Sequence, residues 1–353
     1  MPFPQSGKER DRKQKKLSGK ALVIQLGRDE IRVALTTLGA APKMQQCMTL
    51  PVPYGAVEDG VIQDADVLRD ALKAALSEPA YKRQKRVVFS ICSTQIIPET
   101  VTVPAVAPKK MEKLLESNMD LYFPVNSGEY HLVWKLIEET AGREGEKEAS
   151  VQLWAVPNTL LAGYYALANS CGLSVAAIDY CGNSLASAVG ADFSAAAKAA
   201  RSQGARKRRV SRRKSGEAEG VTATAVMDPP ETEEDSLPDA ELYLLAEREY
   251  LMMTFAQAGQ VKLQRLLLCG VDPEGALSEA LMVLEYYSSM EAGRYGDISC
   301  VLCGALAEET AFLSAVEEML NLPVRVVDCA QGPAWCVCLG AARTALGFGV
   351  PAM

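Results

Sequence analysis

The chain has 353 residues, 48% of them hydrophobic, enough for a large core divided into two or more compact units. A formal charge of -7 argues against nucleic acid as a general partner, although that average hides two local charge runs. The longest apolar stretches are broken by polar residues well short of the roughly 20 needed to span a membrane, and "MPFPQSGKERDRKQKK" has no apolar stretch to act as a secretory signal.

From Lys20 the chain reads as strand, glycine turn, strand ("ALVIQLG", "IRVALTT"), then a third strand near "MQQCMTLPV". "GVIQDADVLRDALKAALSE" follows as a helix, with Asp64 as its N-cap and Val67, Leu68, Ala71, Leu72, Ala75 and Leu76 on one face. "KRVVFSICSTQIIPETVTVP" supplies two strands, Pro108 opens the helix "PKKMEKLLESNMDLYF", and "EYHLVWKLIEE" and "SVQLWAVP" read as two more strands. Asn158 is expected to cap "TLLAGYYALANSC", which Gly172 ends in a left-handed cap. The strand "LSVAAIDY" and a helix beginning "GNSLASAV" complete an α/β order.

The composition then changes. Lys198 to Lys214 holds nine basic residues and no acid, and Glu217 to Glu241 nine acids and no base, so residues 192–240 read as a disordered linker or extended loop. Residues 1–19 read as a basic disordered tail. After Ala240, "ELYLLAEREYLMMTFAQAGQVKLQRLLLCG" is a run of strands turning at Gly259, and Asp272 and Pro273 open a helix. "DISCVLCGAL", "AEETAFLSAVEEMLNL", "PVRVVD" and "PAWCVCLGAARTALGFG" follow as strand, helix, strand and apolar helix. The hairpin-then-helix pattern occurs in both halves, which suggests a duplicated unit.

Ten cysteines, single or in the clusters "CVLC" and "CVC", fit reduced cytosolic thiols. Cys300 and Cys303 have a C-x-x-C spacing, but on a strand residues three apart point to opposite faces and cannot grip one ion. His131 lies on a presumptive strand without a nucleophile motif, and Trp134, Trp154 and Trp335 read as packing residues.

The order of these pieces resembles the actin-like ATPase superfamily, and more closely the type IV pilus assembly protein PilM family, relatives of the cell-division protein FtsA. The resemblance rests on "VPYGAVEDGVIQDADVLRDALKAAL", "KRVVFSICSTQIIPETVTVPAVAPKKMEKLLESNMDLYFPV", "VQLWAVPNTLLAGYYALANSCGLSVAAIDY", "GQVKLQRLLLCG" and "VLCGALAEETAFLSAVEEMLNLPVRVVD". It implies an α/β fold of two lobes, each a ribonuclease-H-like unit. The first lobe would be residues 20–90 and 151–191, the inserted α+β subdomain 91–150, and the second lobe 241–353, with a C-terminal helix returning toward the first.

In that superfamily ATP lies between the lobes, where two hairpin turns present backbone N–H groups to the phosphates and an acid helps hold hydrated magnesium. The family's first turn runs roughly D-h-G-S. Here Gln25 replaces the carboxylate, Gly27 persists, and Arg28 replaces the hydroxyl. In the second turn the family's Asp and Gly fall near Leu245 and Glu247, and the adenosine-packing diglycine survives only as Gly304 and Ala305. Three degenerate loops favour a pseudo-ATPase with no cofactor. Retained ATP and magnesium is the alternative, with Asp179 and Asp297 as candidate replacement carboxylates.

The resemblance further implies a cytoplasmic scaffold of a type IV pilus or related secretion assembly, peripheral to the inner membrane. It would bind the cytosolic N-terminal peptide of a PilN-type partner in a groove between the first lobe and the inserted subdomain. An active actin-like ATPase is the alternative function. An FtsA-like division protein is the weaker one, because "GFGVPAM" is short and neutral for an anchor. The basic runs suit either an anionic membrane surface or a solvated linker, and self-association is open. They lack the interleaved aromatics expected for RNA.

Overall fold

The computed structural model describes residues 19–39, 41–141, 147–190, 240–257, 260–269, 273–290, 297–329 and 331–344. Residues 1–18 of the basic tail, the basic run, the acidic run through Asp239 and the turn residues Gly259 and Asp272 lie outside them.

The first lobe is built on β1 (Lys20–Leu26), β2 (Glu30–Thr37) and β3 (Met44–Pro51). A small ribbon, β4 (Val57–Glu58) and β5 (Val61–Ile62), follows, with α1 (Ala65–Leu76) and β6 (Arg86–Ile91) after it. The inserted subdomain comprises β7 (Ile97–Pro104), α2 (Pro108–Ser117), α3 (Met119–Tyr122), β8 (Tyr130–Ala141) and β9 (Lys147–Pro157). The chain re-enters the lobe through α4 (Asn158–Ser170), β10 (Ser174–Tyr180) and α5, helical over residues 181–190. The second lobe contains β11 (Ala240–Ala246), β12 (Tyr250–Gln257), β13 (Gln260–Leu268), α6 (Pro273–Met290), β14 (Ile298–Cys303), α7 (Thr310–Leu320), β15 (Val324–Val326) and α8 (Cys336–Thr344).

The two large sheets share one plan. The first runs β10-β6-β1-β2-β3 and the second β15-β14-β11-β12-β13. In each, three consecutive antiparallel strands are extended by parallel strands, so β1 matches β11, β2 matches β12, β3 matches β13, β6 matches β14 and β10 matches β15. The near-continuous apolar runs of β1, β2, β11 and β12 follow from burial on both faces. In the first sheet Leu22, Ile24, Val33 and Phe89 pack with Leu68 and Leu72 of α1 and Tyr164 of α4, whereas Ala21, Val23, Ala34 and Val88 pack with Cys338, Ala341 and Ala342 of α8. The final helix of the second half therefore covers the first lobe's sheet.

The lobes also share a core. Tyr243, Leu245, Tyr250 and Met252 join the first-lobe cluster, while Leu242, Leu244 and Ala246 on the opposite face pack with Leu277 of α6 and Val316 of α7. Cys300 and Cys303 accordingly face different clusters, and burial pushes the Cys300 thiol up to about 12.

Several boundaries differ from those expected. β9 belongs along its whole length to the three-stranded sheet β7-β9-β8, so the return to the first lobe comes at α4 and not at residue 151. Asn158 is the first residue of α4 rather than its cap, and its side-chain amide donates to the Gly128 carbonyl at 3.2 Å. Asp64 does cap α1, accepting from the N–H groups of Asp66 and Val67 at 3.1 Å each, but Val67 turns outward and is 41% exposed. Gly172 (φ +69) ends α4, with the Leu173 N–H bonded back to the Ala168 carbonyl.

Candidate functional site

Two hairpin tips meet between the lobes. The β1–β2 turn is closed by the Gly27 N–H donating to the Glu30 carbonyl at 2.9 Å, and the β11–β12 turn by the Glu247 N–H donating to the Tyr250 carbonyl at 2.9 Å. With Leu26 opposite Ile31 and Ala246 opposite Leu251, the two turns have the same length and register, so their positions correspond one to one. Leu245 thus occupies the position of Gln25, Glu247 that of Gly27, and Glu249 that of Asp29.

The second tip reaches into the first. Glu249 Oε2 accepts from the Arg28 backbone N–H at 2.5 Å and its Oε1 from the Asp29 N–H at 3.1 Å. These amides are the pair that a turn of this shape offers to an anion. Gly27 leaves room for the carboxylate, since a Cβ there would stand 2.8 Å from Glu249 Oε1. Burial raises the Glu249 carboxyl above the ordinary range, and the two amides oppose that rise.

Behind this contact lies a buried ion pair. Arg32 of β2 donates from Nη1 to Glu247 Oε1 at 2.6 Å and from Nη2 to Glu247 Oε2 at 2.7 Å. The two side chains are only 5% and 8% exposed, and Arg32 also bonds Glu30 and the Ala334 carbonyl. This bidentate fork keeps the guanidinium charged despite burial. Burial raises the Glu247 carboxyl, opposed by Arg32 and by the Ala305 backbone N–H. Gln25 donates from Nε2 to the Tyr250 hydroxyl at 2.8 Å, adding another link between lobes.

The third loop closes on the same residues. Gly304 (φ +98) ends β14 in a conformation unfavourable to other residues, and a Cβ there would collide with the Ala246 carbonyl. Its neighbour Ala305 supplies the amide that Glu247 accepts. The Gln25, Gly27, Arg28, Leu245, Glu247, Gly304 and Ala305 loops thus lie around one interlobe junction. The gap lined by Gln25, Gly27, Glu30, Arg32, Glu247, Glu249 and Tyr250 is ≈ 10 Å³, about the least that admits a single water, and on the outer side of the same turn Arg28, Asp29, Glu249 and Tyr250 border a cavity of ≈ 530 Å³.

The other candidates separate. Asp179 is buried near the end of β10, where it accepts from the Ser184 hydroxyl at 2.6 Å and so serves the start of α5. Asp297 precedes β14 at the opposite end of its sheet, where its carbonyl accepts from the Ala240 N–H. The two are not brought together. His131 is half-buried on β8, and Trp154 is buried, its indole N–H donating to Gln264 of the second lobe at 3.2 Å. Among the described residues no three His, Cys, Asp or Glu side chains are placed to share a metal, and no helix is long and apolar enough to cross a membrane.

No protein-family model and no curated protein sequence matches the chain. Solved structures do. A chain of a "PilM-PilN type IV pilus biogenesis complex" superposes with a TM-score of 0.69 at 15% identity, over 93% of this chain and 99% of that one. The chain has the actin-like ATPase fold. A Bacteroides thetaiotaomicron protein described as having an actin-like ATPase fold matches at a TM-score of 0.48 and 10% identity, covering 93% of this chain and 98% of its own. The cytoplasmic domain of EpsL, an inner-membrane component of the Vibrio cholerae type II secretion system, matches at 0.45 and 12%, covering 92% and 94%. At these identities the likeness establishes architecture, and the chemistry of the actin-like cleft has to be read from its own residues.

Arg32, Glu249 and Tyr250 are the cleft residues that the motif comparison passes over. A signal for Arg32 is present, because a lone arginine within "IRVAL" must find a partner if that strand is buried. Nothing local marks Glu249, whose partners lie 221 and 220 residues away.

Proposed function

We propose that this protein is a non-catalytic actin-like scaffold of a type IV pilus or related secretion assembly. It works at the inner face of the cell membrane by holding the cytosolic N-terminal peptide of a PilN-type membrane protein. The observation that carries the non-catalytic part is the seating of Glu249 on the Arg28 and Asp29 amides. A magnesium triphosphate does not fit the loops so arranged, because their amide donors already face carboxylates, whose charge repels phosphate. Gln25 and Leu245, which stand where the family carries acids, offer no charge to a divalent cation.

The choice of partner is supported by the match, over almost the full length of both chains, to a chain of a PilM–PilN complex. The test is titration of the full chain with a synthetic peptide copying the cytosolic leader of a single-span membrane protein encoded beside it. Saturable binding that a scrambled peptide does not reproduce is expected. Absence of binding at high micromolar peptide would refute the partner assignment.

A further inference from the structure

The carboxylate on the first phosphate turn is more than a consequence of a lost site. It comes from the other lobe, both its oxygens are used, and its two partners are successive backbone N–H groups at a hairpin tip. Such a pair of converging amides is an anion nest, and in this fold a nest at that tip faces the interlobe space. The glycine that keeps the backbone open to an anion is still present, and the group pressed against it is Glu249. A second carboxylate, Glu247, lies one step behind on Arg32 and the Ala305 amide, so a cation and a third backbone donor are also matched by acids of the chain itself.

We infer that Glu249 is a tethered anion occupying the phosphate nest of the first lobe, and that it holds the two lobes closed without any ligand. Removing it leaves a vacant nest with intact amides, able to take inorganic phosphate or pyrophosphate. The nest lies at the tip of the interlobe cleft, so the inference does not depend on which membrane protein the scaffold serves.

The experiment is residue-resolved amide exchange on the full chain, wild type and Glu249→Ala, with and without inorganic pyrophosphate at constant ionic strength. In the wild type the Arg28 and Asp29 amides should be protected, and pyrophosphate should not change them. In Glu249→Ala both should exchange about tenfold faster, the loss expected for a hydrogen bond to a charged acceptor. Millimolar pyrophosphate should restore protection there while leaving the α6 and α7 amides unchanged.

Unchanged exchange in the alanine variant, or faster exchange that pyrophosphate does not reverse, would overturn the inference. Should the alanine variant not fold, Glu249→Gln keeps the shape and one carbonyl acceptor but not the charge. Intermediate protection that pyrophosphate increases is expected, and wild-type protection without the anion would count against a charged tether. Peptide titration reads a different event, so failure of the partner assignment and failure of this inference are separable.

Discussion

Arg32 sits within a strand whose neighbours are apolar, a position tolerable because both terminal nitrogens of its guanidinium meet acceptors. Glu249 is the counterpart on the other lobe, and its environment makes a prediction about pH. Its folded-state value is raised above the ordinary 4.5 by burial, more than the Arg28 and Asp29 amides lower it. The folded protein therefore binds this proton more tightly than the unfolded chain does. The proton-linked part of its contribution to stability is fully present below 4.5 and is lost as pH rises through the raised folded value, above which the carboxylate still holds the lobes through its two amide hydrogen bonds. Urea unfolding of wild type and Glu249→Gln across mildly acidic to neutral pH checks this. The wild type should gain stability relative to the variant as pH falls toward that window. Parallel curves would show that the carboxyl is not perturbed.

At the scale of elements, the interlobe joint depends on the crossing of α5 and α8. A Cβ at Gly340 would collide with the Ser184 carbonyl, so the helices touch backbone to backbone. Gly340→Val is expected to cost about 3 kcal/mol or more by overpacking, readable as a fall in the urea midpoint, whereas a neutral result would mean that the helices do not approach so closely. The strands were legible in the sequence because β1, β2, β11 and β12 are buried on both faces and so write long apolar runs. The turn positions Gln25, Gly27, Leu245 and Glu247 could be located from those runs. What the turns touch could not, because Glu249 meets amides from the far half of the chain and no local pattern encodes that meeting. Asn158 and Val67 deviate for a related reason. The Gly128 carbonyl takes the Asn158 side chain away from capping, and the fold leaves Val67 exposed, so tertiary context overrides the local preference in both cases.

Across the whole molecule, two lobes of one sheet plan are joined by a shared core, by α8 lying on the first sheet, and by polar links through the interface. Gln264 of β13 accepts from Gln152 and Trp154 at 3.3 and 3.2 Å and donates to Asn183 at 3.3 Å. Together with the Glu249 and Glu247 contacts, these bonds make one closed body of a fold that elsewhere is arranged around a nucleotide. A body of that kind is consistent with the scaffold role proposed above. The most direct measurement is calorimetric titration of the wild-type protein with ATP and magnesium. No saturable heat up to millimolar nucleotide is the expected result. Micromolar binding that disappears in Gly304→Val would contradict it and return the cleft to chemistry.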